Sequence, residues 1–205
     1  MSSRTTRATR ARILDAALRE LGRDPDSSLR DIAEAAGVAR RTLYTHFAGR
    51  AALVKGLAED AVAAIRRAVA DASAPASGAD TDPASALARF VLTLWPVADC
   101  YRTLIGLARH DLGPDRVSEL LAPARETVTG ILAEGQRRGV FHSTVPPGPL
   151  SAAIEAHLLA LLGSVNSGTW RDDGTGATTA ALIAAGVDSG TAAATVHRLH
   201  GTTTP

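Results

Sequence analysis

Between Ser28 and Arg50 the chain reads SLRDIAEAAGVARRTLYTHFAGR, and few folds accommodate that pattern. Leu29, Ile32, Ala33 and Ala36 recur three and four apart, so they share one face of a helix. Gly37 follows at once, where a glycine lets the chain reverse through a left-handed conformation. Val38 is the apolar residue of the turn. Leu43 and Phe47, four apart, give the next helix its buried face. Arg41 and Thr45 point roughly the opposite way, and Arg40 stands at the exposed start. Two short helices around a tight turn, the second offering cations, form a helix-turn-helix.

The flanks support this reading. Ile13, Leu14, Ala17, Leu18 and Leu21 make the apolar stripe of a first helix from about Ala8 to Leu21, which Gly22 ends. Asp24 to Ser27 is a loop. Ser28 with Asp31 three residues on has the form of a capping box for the second helix, with Ser27 as the alternative cap. Ala39 has no side chain that caps, which costs the third helix about 1 kcal/mol. Residues 1–9 are polar and basic. They read either as a flexible arm that touches DNA or as a solvated tail.

The stretch IAEAAGVARRTLYTHFAGRAAL resembles the DNA-binding signature of the TetR family of bacterial regulators. The matching elements are Ile32-Ala33, Ala36-Gly37-Val38, Thr42-Leu43-Tyr44, His46-Phe47 and Leu53. The resemblance covers roughly Ile13 to Leu57, about a quarter of the chain. It implies an all-α protein: a three-helix DNA-binding domain at 1–50, and a helical ligand-binding and dimerisation domain at 51–205 entered through a connecting helix at 50–72. It also implies roles for residues. Arg30, Arg40 and Arg41 are candidates for base edges, because arginine pairs bidentately with guanine O6 and N7. Ser28, Thr42, Tyr44, His46 and Arg50 are candidates for phosphate contacts. Phe47 reads as core. Arg50 stands where the family usually has lysine, Gly49 where serine is common, and Ala39 where serine is frequent.

Charge is distributed as such a protein needs. The net charge is +1, yet residues 1–55 carry +5 and the rest −4. A cationic end beside an anionic remainder suits a DNA reader with a separate sensor. Cys100 is the sole cysteine, so no disulfide forms within the chain. No signal peptide is visible, and no apolar run approaches the ~18 residues of a membrane helix. The expectation is a soluble, cytoplasmic protein without membrane contact.

Aromatics are only 3% against 45% hydrophobic residues, so the core has to be built of Ala, Leu, Val and Ile in closely packed helices. Leu53, Leu57, Ala61, Ile65 and Ala68 stripe the helix from Arg50 to about Ala72. Ser73 to Pro83 is turn-rich and reads as a loop. Leu87, Phe90, Val91 and Leu94 form a helix that Pro96 stops. Tyr101, Leu104, Ile105 and Ala108 form another, ending near Gly113. A long helix from Asp115 to Arg138 is kinked or split at Pro123. Pro149 to about Ser167 is apolar nearly all round, which marks burial on more than one side; the resemblance makes it the helix that meets its twin in a homodimer. Two short helices, Ala177–Ala185 and Ser189–His200, follow.

By resemblance, the second domain holds an apolar pocket for a small hydrophobic or amphipathic molecule. Candidates are Phe90, Leu94, Trp95, Tyr101, Leu104, His157 and Leu161, each equally at home in a core. His157 stands out as polar amid Leu and Ala, and a satisfied core or interface histidine is its better reading. Catalytic, metal and cofactor patterns are lacking. His197 and His200 have no acidic or cysteine ligand beside them, Gly174 to Ala177 lacks the lysine of a phosphate loop, and Asp172-Asp173-Gly174 lacks the calcium-loop spacing. The expected function is a DNA-binding transcriptional repressor, not an enzyme, released from a palindromic operator by a ligand. The alternative is a DNA-binding regulator or activator with no small-molecule ligand.

Overall fold

The computed structural model describes residues 2–72, 82–102 and 114–203, and within them every regular element is helical. In chain order these are α1 (Ser2–Arg23), α2 (Leu29–Ala35), α3 (Arg40–His46), α4 (Arg50–Ala72), α5 (Pro83–Cys100), α6 (Pro114–Arg137), α7 (Pro147–Asn166), α8 (Thr175–Ala184) and α9 (Ser189–Thr203). The readings placed on Leu104, Ile105 and Ala108, and on the loop after Ala72, lie outside the described residues.

Two main apolar cores organise the helices, with a smaller cluster of Trp95, Leu162 and Ala177 beside the second. The first joins Ile13, Leu14, Ala17 and Leu21 of α1 to Ile32 and Ala33 of α2, Leu43 of α3, Phe47, and Leu53, Leu57 and Ala61 of α4. The second gathers α5 to α9 around Leu87, Phe90, Val91, Val128, Leu132, Ile154, Leu182 and Val196. α4 and α5 serve both. Ile65 and Ala68 of α4 are buried beyond the first core. Tyr101, at the end of α5, packs into the first core rather than the second.

Local chemistry sets the helix ends. Ser28, not Ser27, caps α2: its hydroxyl accepts from the Asp31 N–H at 3.3 Å, and the Asp31 carboxylate accepts the Ser28 N–H at 3.0 Å. Ser27 is buried and its hydroxyl donates back to the Glu20 carbonyl. Gly37 takes φ +62°, the turn conformation that its place demanded. α3 starts after Ala39 with no side-chain cap bond. Asp82 caps α5 through the Ala84 and Ser85 N–H groups, with Pro83 in the first turn where its missing N–H costs nothing.

Three expectations change, and of the two readings at Pro123 the split is excluded. α1 begins at Ser2, so the arm read at residues 1–9 continues the helix; no glycine or proline interrupts that stretch. α5 runs through Pro96 and α6 through Pro123. Each proline ring is exposed, so the missing amide bond is the main loss, and Trp95 and Tyr101, buried on either side of Pro96, hold α5 in line. Finally, Pro147–Asn166 is long and apolar enough to cross a membrane by length and composition, with mean hydropathy 1.3. Glu155 and His157 interrupt its apolar run, which hid it in the sequence.

Candidate DNA-reading head and ligand chamber

α2, Gly37 and α3 hold the helix-turn-helix against α1 and α4 through Ile32, Ala33, Leu43 and Phe47. That packing leaves the other side of α3 facing out. Arg40, Arg41 and Tyr44 are exposed, as are Ser28 and Arg30 at the start of α2. Tyr44, at 42% exposure, is one of two large apolar side chains displayed among the described residues. The Arg40 guanidinium lies over its ring at 5.7 Å, a cation–π contact that holds both side chains at the surface. Thr42 and His46 are half-buried, and the Thr45 hydroxyl donates to the Arg41 carbonyl. Arg30 leans toward Asp31 at 3.8 Å.

Arg50, read as a phosphate contact, has two intramolecular partners. Its guanidinium donates to the Ser27 carbonyl at 2.6 Å and to the Pro25 carbonyl. It therefore bolts the loop before α2 to the start of α4, and positions Ser28. A signal for this is visible only in retrospect: an arginine at a helix start, with a Pro-Asp-Ser-Ser loop upstream.

Behind the head, two features went unread. A Cβ on Gly56 of α4 would lie 2.7 Å from Phe47 Cε1, so this glycine is where α4 admits the Phe47 ring. The Arg10 guanidinium covers the same ring at 5.4 Å and reaches Glu59 at 3.6 Å. Tyr101 donates its hydroxyl to Asp60 of α4 at 2.6 Å. Burial and that bond hold the phenol above its usual titration range.

In the second core a cavity of about 100 Å³ opens among α4, α5, α6 and α7. Phe90, Leu94 and Trp95 line it, together with Ile65, Val91, Ala98, Ala124, Val128, Ile154 and Leu158. Tyr101 does not line it, being in the head's core. His157 and Leu161 are also off its wall; His157 is exposed on the outer side of α7. Leu104 lies outside the described residues. Two polar partners complete the wall. Arg125 of α6 pairs bidentately with Glu155 of α7, Nε to Oε2 at 2.9 Å and Nη2 to Oε1 at 2.8 Å. The Glu155 bond raises the Arg125 pKa further above its usual value. The Ser151 hydroxyl donates to the Arg125 carbonyl at 3.1 Å. Their spacing of 30 and 26 residues across a turn is invisible to local pattern reading.

Residues 13–57 match the family model for bacterial regulatory proteins of the tetR family. Residues 13–57 thus form a DNA-binding head of the TetR type. The span contains both helices of the motif, and the TetR regulators are transcription factors, not enzymes. Solved structures share the fold along most of the chain. MbdR from Azoarcus sp. CIB aligns with TM-score 0.68 at 19% identity, covering 87% of this chain and 97% of its own. PfmR from Thermus thermophilus gives 0.67 at 20%, covering 85% and 97%. FadR from Bacillus halodurans, a fatty acid degradation regulator, gives 0.66 at 19%, covering 86% and 94%. No curated protein matches. At these identities the neighbours speak for the TetR fold beyond residue 57, and the contact residues remain this chain's own.

Proposed function

We propose that this TetR-family DNA-binding regulator is a cytoplasmic, homodimeric repressor, released from a palindromic operator by a small molecule. The reading head is assigned to residues 1–50 and the sensor to 51–205, with α4 between them. Arg30, Arg40 and Arg41 read base edges; Ser28, Thr42, Tyr44 and His46 hold phosphates; Arg50 positions the loop that carries Ser28. One observation carries the reading: α4 and α5 each contribute both to the apolar cavity and to the head's core. A ligand that prefers one arrangement of these helices shifts the spacing of two heads, and so couples two sites.

One head offers few phosphate contacts. Two, about 34 Å apart or a multiple of it, read a palindrome with useful affinity at cell salt. α7 supplies the surface for pairing. Ala153, Ala156, Ala160 and Gly163 are exposed on it at three- and four-residue spacing, which lets a second helix approach closely.

The test is binding of the full-length protein to its own upstream DNA across a salt series, beside Arg41→Ala. The expected result is tight, salt-steep binding, weakened about 10- to 100-fold by the substitution, the worth of one bidentate base contact. Absence of even weak salt-dependent binding rejects the DNA assignment. A regulator without a small-molecule ligand is the second reading. The modest cavity favours it, since ligand sites typically measure about 300–1,000 Å³.

A further inference from the structure

We infer that the chamber selects an uncharged hydrocarbon about one ring in size and excludes its carboxylated analogue. The inference rests on the ligand-release reading and names the ligand class for the same chamber. Three observations carry it. The described wall is aliphatic and aromatic: Phe90, Val91, Leu94, Ile154 and Leu158 supply its faces, and Trp95 its aromatic flank. Every polar side chain on that wall already has a partner. Arg125 and Glu155 satisfy each other in two charge-assisted bonds, with their heads about a quarter exposed. The Ser151 hydroxyl is held by the Arg125 carbonyl, and the Trp95 indole N–H donates to the Asp172 carbonyl at 3.4 Å. Finally, the space is about 100 Å³, and apolar cavities of about 150 Å³ stay dry and hold benzene or xenon.

These facts decide between hydrophobic and amphipathic ligands. A hydrocarbon leaves water and meets the aliphatic and aromatic carbon of Phe90, Val91, Leu94, Trp95, Ile154 and Leu158. A carboxylate entering the same space loses its hydration and, among the described wall residues, finds a partner only by taking Arg125 from Glu155, which strands the Glu155 charge. A bidentate pair with both members satisfied resists that exchange more than a lone arginine would.

The chain reports on its own chamber. Its two tryptophans are Trp95 on the wall and Trp170 against it, ring centroids 6.3 Å apart and edge to face. The full-length protein, without DNA, is titrated with toluene and separately with benzoate, and read by tryptophan fluorescence and thermal unfolding. Toluene is expected to give a saturable signal and raise Tm, with benzoate binding at least ~30-fold more weakly for want of a hydrogen-bond partner. Ala124→Leu, which narrows the chamber, is expected to weaken toluene at least ~10-fold while the circular-dichroism spectrum stays helical. Val91→Ile is the milder narrowing if Ala124→Leu does not fold. No saturable toluene signal, benzoate binding as tightly as toluene, or toluene affinity unchanged in a folded narrowed variant overturns the inference. Toluene that binds yet leaves operator DNA bound overturns the release reading instead, and leaves the ligand class standing.

Discussion

Tyr101 sits where two cores meet. Its ring is buried among head residues, its hydroxyl is bonded to Asp60, and its helix walls the chamber from Phe90 to Ala98. Tyr101→Phe keeps the ring and removes one half-buried hydrogen bond, so unfolding in urea is expected to show a loss of about 1 kcal/mol. The pH dependence has a definite sign. Because folding raises the phenol's pKa above its ordinary 10.0, the stabilisation is complete below that pH and fades as pH climbs above it. Wild type and Tyr101→Phe should therefore converge in stability on the alkaline side. Arg50 makes a contrast with Arg41 at the same scale. Arg50→Ala removes the tie to the Ser27 and Pro25 carbonyls, so it is expected to lower Tm and speed amide exchange in residues 25–28. Arg41→Ala, exposed and without such a tie, should leave both unchanged while weakening DNA. Equal effects of the two on stability would reject the division of labour.

Among the elements, α4 shows how a helix is fitted to its neighbours by what it lacks. In most exposed helix interiors Gly→Ala stabilises by about 1 kcal/mol. At Gly56 the sign is expected to invert, because the new methyl meets the Phe47 ring at 2.7 Å, and Phe47 is itself pinned beneath Arg10. Thermal unfolding of Gly56→Ala checks it; a raised Tm would mean that the ring moves freely. α4 was also the most legible element. Its apolar residues follow a single helical stripe from Leu53 to Ala68, and all five are buried. α2 and α3 were legible for the same reason, with a cap and a glycine as punctuation. α5 and α6 were not, because proline is a local signal while continuity through Pro96 and Pro123 comes from packing by distant helices. In the site the exposed arginines were legible from their own spacing. The Arg125–Glu155 pair, Tyr101–Asp60 and the Gly56 notch join residues far apart in sequence, and no periodicity announces such meetings. Tyr101 was read as a pocket residue because aromatic type alone does not say which of two cores will take it.

For the whole molecule, the question is what covers α7. Its outer stripe of alanine and glycine is exposed, and only 22% of its most apolar 18-residue stretch is buried within the chain. Under the dimer reading, Ala156→Glu places a like charge against itself across a two-fold axis. Sedimentation should then shift from dimer to monomer, and affinity for a palindromic site should fall with it, while each head stays folded. A dimer undisturbed by that charge would put the interface elsewhere.

Glu155 has one more consequence. It lies with His157 at the middle of a helix that is otherwise greasy enough to be mistaken for a membrane anchor. A carboxylate at the midpoint of a spanning helix is penalised during insertion by about 2.5–3.5 kcal/mol, judged by aspartate at that depth. By the time this helix leaves the ribosome, α6 with Arg125 has already been made and is waiting for it. The residue that lines the chamber thus also lowers this helix's affinity for lipid, while Arg125 gives its charge a partner within the fold.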